Sequence, residues 1–257
     1  MKHIGYLLFI LFPPLFGAIN VRFVDQNNRT GNLLFEGNLP QDTNGHFSQK
    51  KLISALKKGY VGIFPSTYNL IIISHLTTEN GEETLFLSNI YTYFQGTSVP
   101  NASDIPQQVP INKAGKGTLY WWPVRGFKSH TPPFSSDVSW ATLDNAYKAL
   151  SEEDVHKELV NQSFNGKLLN FPGLISLIEL LMQTDTPSPQ VIYIHSRRGA
   201  NRNTVSMSAY LMKTACNTVQ QAWNTTAPTL LNKEQVFEPQ EAKSFLYYYK
   251  RYLELLN

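Results

Sequence analysis

The residues of this chain best suited to chemistry lie between Val191 and Lys213, in the run VIYIHSRRGANRNTVSMSAYLMK. Val191 to Ile194 is wholly apolar and β-branched or aromatic, so it reads as a buried strand. A tight loop through Gly199 follows, and Ala200 to Thr214 reads as a helix. A strand, a glycine loop and a helix N-terminus aim backbone N–H groups at one point in space, which is the requirement for binding an anion. Arg202 lies early in that helix, and a guanidinium there can fork onto two phosphate oxygens. Ser196, Arg197, Arg198, Gly199, Ala200, Asn201, Arg202 and Asn203 are therefore the candidate phosphate-binding residues, with His195 immediately before them.

This segment resembles the signature of the cysteine-based phosphatases, the protein-tyrosine and dual-specificity superfamily: His-Cys-x-x-Gly-x-x-Arg-Ser/Thr. His195, Gly199 and Arg202 match, Ser196 stands at the nucleophile position, and Asn203 stands where a hydroxyl residue is usual. Upstream, Gly37 to Pro40 (GNLP), a helix and Gly59 to Phe64 resemble the opening of dual-specificity phosphatases. The resemblance is close over residues 171–215 and thin elsewhere. It implies an α/β domain, a central mixed sheet flanked by helices, with long insertions around 77–117 and 126–165.

The departures bear on mechanism. In the family a thiolate attacks phosphorus, its pKa lowered to about 3.5–7.5 by the loop. A serine hydroxyl needs a positioned base instead. His195 is the nearby candidate, and in the family that histidine supports the loop and points away from substrate. The family's general acid is an aspartate after a strand, often Pro-x-x-Asp. Here Pro123-Val124-Arg125-Gly126 puts Gly126 in that place, 70 residues before Ser196. Asp137, Asp144 and Asp154 are substitutes, each with the plainer reading of helix cap or solvated charge. Thiol, acid and hydroxyl are absent together while the arginines remain, so the resemblance implies a pseudophosphatase that binds a phosphorylated or sulfated ligand. The loop, with Arg197, Arg198 and Arg202 and no thiolate, is expected to attract anions more strongly than an active one.

Two alternatives stand beside this reading. One is an active phosphomonoester hydrolase whose nucleophile position is serine by substitution. The other is a secreted glycan-binding protein that stacks Trp121, Trp122 and Trp140 on sugars. A serine esterase is disfavoured, because Gly-x-Ser-x-Gly is missing and His195 and Ser196 would point to opposite faces of a strand.

The elements that must position these residues follow from periodicity. Residues 19–31 read as a polar segment, Leu33 to Pro40 as a strand and turn, and Ser48 to Lys58 as a helix stopped by Gly59. Tyr60 to Phe64, Leu70 to Ile73, Leu85 to Phe94 and Leu119 to Val124 read as strands, with loops at 95–117 and 126–139. Trp140 to Leu150, Glu152 to Val160, Phe171 to Met182 and Pro239 to Leu256 read as helices.

Composition agrees with one globular unit. The chain has 257 residues, 42% of them apolar, and a net charge of only +3, which excludes wholesale nucleic-acid binding. Lys2, an apolar run from Ile4 to Phe16, and Ala18 have the layout of a secretory signal peptide over residues 1–18. The run is too short for comfortable spanning, so no stable membrane insertion is expected once the leader is removed. A secreted, glycosylated protein is the consequence, with acceptor triplets at Asn28, Asn101, Asn161 and Asn224. Cys216 is the only cysteine, so no internal disulfide and no thiolate zinc site can form. No metal and no cofactor are expected, and nothing in the sequence sets an oligomeric state.

Overall fold

The computed structural model describes residues 19–79, 81–96, 105–124, 139–160, 163–164, 167–168, 170–199, 201–227 and 239–256. The leader, Asn101, Gly126, Asp137, Asn161 and Ala200 lie outside them.

The strands are β1 Val21–Gln26, β2 Leu33–Gly37, β3 Asn69–Ser74, β4 Pro110–Lys113, β5 Gly117–Trp121 and β8 Gln190–His195, with a small separate hairpin of β6 Ser163–Phe164 and β7 Lys167–Leu168. The main sheet runs β1-β2-β8-β3-β5-β4. β2, β8, β3 and β5 are mutually parallel, while β1 and β4 join the edges antiparallel. Parallel strands must be covered on both faces, which is why β8 is buried at every position and its middle, Val191 to Ile194, is an unbroken apolar run. Alternate residues of β8 feed two cores. Ile192 and Ile194 pack under α5 Phe171–Gln183 and α6 Asn201–Thr214, whereas Val191 and Tyr193 pack under α1 Gln49–Gly59 and α2 Gly81–Gln95. The first layer is completed by α3 Trp140–Ala146, α4 Glu152–Leu159, α7 Val219–Thr226 and α8 Pro239–Leu255. The expected α/β class, a mixed sheet between helical layers, is the observed one.

Local chemistry sets the helix starts. Ser48 caps α1 by accepting from Lys51 N, and Ser151 and Thr218 each form a reciprocal capping box, at α4 and α7.

Several expected elements differ. Leu85 to Phe94 is not a strand but the body of α2, because Phe86, Leu87, Ile90 and Phe94 all bury on one helical face. Tyr60 to Phe64 forms no strand, and Val61 and Ile63 are fully exposed at 103% and 97%. The polar segment at 19–31 contains β1, which as a half-buried edge strand needs no apolar run. The expected loop at 95–117 carries β4, with Ile111 buried, and α7 forms where no element was expected. The stretches expected as surface insertions contribute core, through Phe86 and Ile90 on one side and Leu143, Val155 and Leu159 on the other. Among the described residues no helix is long and apolar enough to cross a membrane.

Candidate anion-binding loop

β8 ends at His195, Ser196 follows, the chain bends through 197–199, and α6 begins at Asn201. The bend needs Gly199: its φ is +66°, and a Cβ there would lie 2.6 Å from Asn38 N and from Gly37 C. The GNLP segment at the end of β2 is thus the wall against which the loop packs. Its anchor is the Gly37 carbonyl, which accepts from Ser196 N at 3.4 Å and from Asn203 Nδ2 at 2.8 Å. Asn203 Nδ2 also donates to Ile194 O at 3.3 Å. At the usual hydroxyl position, a carboxamide therefore ties strand to loop, and its Oδ1 has no partner.

The loop residues have unlike fates. Ser196 is 2% exposed. Arg198 is exposed, and Arg197 is half-buried in an ion pair with Glu82 of α2. His195 is fully buried between Phe86 and Tyr193, and both ring nitrogens lack a partner. Burial, reinforced by repulsion from His75 and Arg202, pushes its pKa down to about 3. It is neutral, and no hydrogen bond links it to Ser196.

Arg202 is held by partners that sequence reasoning did not find. Nη1 donates to His75 O at 2.9 Å and to Glu83 Oε2 at 3.0 Å, and Nη2 donates to Glu83 Oε1. Glu83 is 4% exposed and also accepts from Thr77 N at 2.8 Å and Thr77 Oγ1 at 3.2 Å. Burial raises the Glu83 pKa, but the Arg202 and Thr77 hydrogen bonds outweigh it and hold the carboxyl below its ordinary range. The expectation of an unusually anion-attracting loop is thereby corrected: Glu82 and Glu83, in the first turn of α2, lie against Arg197 and Arg202. The signal that could have found them was helical, two acids just ahead of an apolar face, and the strand reading of 85–94 hid it.

Beneath the loop, His75 Nδ1 faces Trp122 O at 3.1 Å and Nε2 faces Ser206 Oγ at 3.1 Å. The carbonyl only accepts, so Nδ1 carries the proton and Nε2 is an acceptor, and the single Ser206 O–H is shared between Nε2 and Arg202 O, 3.0 Å away. Burial first, with the Arg202 charge adding to it, brings His75 down to about 3.

The remaining candidates fall away from the loop. Asp144 pairs with Lys250 at 3.1 Å, and Asp154 closes the capping box of α4. Trp121 and Trp122 are buried, with Trp121 Nε1 donating to Leu76 O at 2.8 Å, so neither offers a face to a sugar. Trp140 is half-buried, with Lys243 Nζ 4.6 Å from its ring centroid. Among the described residues no His, Cys, Asp or Glu group could hold a metal ion.

No family model matches the sequence. No curated protein matches it either. A crystal structure of a human DUSP28 variant, a dual-specificity phosphatase, is similar at 13% identity, covering 92% of this chain and 99% of that one with a TM-score of 0.38. The fold is accordingly assigned from its own strand order and register: an α/β mixed sheet between two helical layers, with a strand–loop–helix at the C-terminal end of its central strand.

Proposed function

We propose that this chain is a secreted, phosphatase-like protein without effective catalysis, which binds a phosphorylated or sulfated ligand at the 195–202 loop. The observation that carries the reading is the state of Arg202. Glu83 and the His75 carbonyl hold it through Nη1 and one face of Nη2, and Nε makes no hydrogen bond among the described residues. A guanidinium has five N–H donors, and Nε–H with the second Nη2–H forms a fork of its own. Glu83 is then a positioning residue that fixes the plane of that fork. The Arg197–Glu82 pair has side chains 32% and 54% exposed, and an arriving anion displaces such a pair at small cost.

The same geometry supports the absence of turnover. Ser196 has no hydrogen-bonded base, His195 is neutral and buried in an apolar wall, and the Asn203 amide is spent on carbonyls.

Calorimetric titration of inorganic phosphate tests the site. The unaltered chain should bind it, and a folded Arg202→Met/Glu83→Gln double variant should not. Equal binding by both, or by neither, removes the loop as an anion site. Steady hydrolysis of an aryl phosphate by the unaltered chain removes the non-catalytic reading. Secretion is tested by expressing the full chain in a secretory host and sequencing the N-terminus of the released protein, which should begin near residue 19.

A further inference from the structure

The most exposed large apolar side chains among the described residues are Val61 and Ile63, at 103% and 97%. They stand on the turn Gly59 to Phe64 (GYVGIF), which leaves the end of α1 and leads toward β3. Water contact of two neighbouring large apolar groups is unfavourable, and among the described residues nothing covers them.

The turn is held firmly from below. Tyr60 packs on Phe23 and Phe35, with centroids 5.1 and 6.1 Å apart, and donates its hydroxyl to Gln26 Oε1 at 2.6 Å. Phe64 packs on Phe35 at 6.4 Å and on Tyr68 at 5.4 Å. A Cβ at Gly62 would lie 2.7 Å from Tyr60 Cζ, so the chain turns back directly over that ring. Both feet of the turn are thus fastened to the core beneath α1 and α2, while Val61 and Ile63 project from it.

The charge behind the turn has one sign. α1 carries Lys50, Lys51, Lys57 and Lys58 and no acidic residue. At about 100° per residue the four fall on one arc, opposite the buried Leu52 and Leu56. All four are exposed, and none makes an ion pair among the described residues. Asp42 lies near Lys51, at the end of the helix away from the turn. Lys57 Nζ is 5.8 Å from the Phe64 centroid, so cation and turn share one surface.

We infer that this turn anchors the chain to an anionic lipid surface: Val61 and Ile63 enter the acyl boundary, and Lys57 and Lys58 meet the headgroups. A convex apolar tip with aromatic rings at its base and lysines behind it matches the order of layers in a leaflet. A soluble polyanion would leave Val61 and Ile63 in water. The anchor lies on the membrane without spanning it, and it uses no residue of the 195–202 loop.

The test reads position 63 itself in the full chain. An environment-sensitive dye is attached to the thiol of an Ile63→Cys/Cys216→Ser variant. The control carries it on Cys216 of the unaltered chain, which is exposed beyond α6 on the opposite face of the sheet. On vesicles of equimolar phosphatidylserine and phosphatidylcholine, emission from the dye at 63 should shift to the blue and emission from Cys216 should not. Phosphatidylcholine alone should need at least about tenfold more lipid for the same shift. Adding Lys57→Ala and Lys58→Ala should raise the lipid needed by about fivefold for each lysine, with no change in melting. Adding Arg202→Met/Glu83→Gln should change neither value, which separates the anchor from the loop. The leader's apolar run can hold a chain to a vesicle, but it does not bring position 63 into lipid. The assignment is overturned if the dye at 63 keeps its aqueous emission, or if neutral vesicles give the same shift at the same lipid concentration. It is also overturned if the shift appears without lipid as the chain is concentrated, because a second copy then covers the tip.

Discussion

The two ends of the sheet are built on opposite terms. At the C-terminal end of β8, Arg202 is bonded to Glu83, Glu83 to Thr77, and Asn203 to Gly37, and glycines at 37 and 199 leave no room for a Cβ. At the N-terminal end, Gln190 Oε1 has no partner and the Lys113 ammonium has none among the described residues. The first end has its charges paired by the fold itself, and the second leaves an amide oxygen and a cation unmatched. Signature residues therefore mark the end whose charges are paired, while its unmatched buried atoms include the neutral ring nitrogens of His195 and the Asn203 Oδ1.

The largest effect should come from breaking the buried pair. Arg202→Ala leaves Glu83 charged and buried without its partner, and should destabilise the fold by about 3–5 kcal/mol in chemical denaturation. Adding Glu83→Gln should recover much of that loss. If the single variant is as stable as the unaltered chain, Glu83 is not held by Arg202 and the contrast between the two ends fails.

Gly199→Ala should cost somewhat less, about 1–3 kcal/mol, because it combines positive φ with backbone atoms of residues 37 and 38 in the way of the methyl group. A melting curve unchanged by this substitution would show that the loop is not pressed onto β2.

Acid should unfold the loop end preferentially. His75 and His195 have folded pKa values near 3 against an ordinary 6.5, so the unfolded chain binds more protons between those values. Their contribution is complete above pH 6.5 and is lost as pH falls toward 3, with a slope approaching about 1.4 kcal/mol per pH unit for each histidine. His195→Phe should remove half of that slope, and a stability profile flat from pH 6.5 to 4 would contradict the burial of both rings. The smallest effect belongs to the other end: Lys113→Ala should shift stability by less than about 0.5 kcal/mol, since its ammonium carries no bond to lose.

What the amino-acid order determined by itself was local. The VIYI run could only be a strand buried on both faces, Gly199 had to turn, and Ser48 and Ser151 had to start helices, because each depends on neighbours a few residues away. The local readings failed at 60–64, at β1, β4 and α7, and at residues 85–94, whose aromatic and β-branched residues favour a strand until a sheet is there for one helical face to cover. The tertiary structure alone decided what reaches the loop. Glu83 meets Arg202 across 119 positions of sequence, and Asn203 meets the Gly37 carbonyl across 166. Strand order sets those meetings, and strand order is a property of the whole packed sheet, which no window of sequence contains.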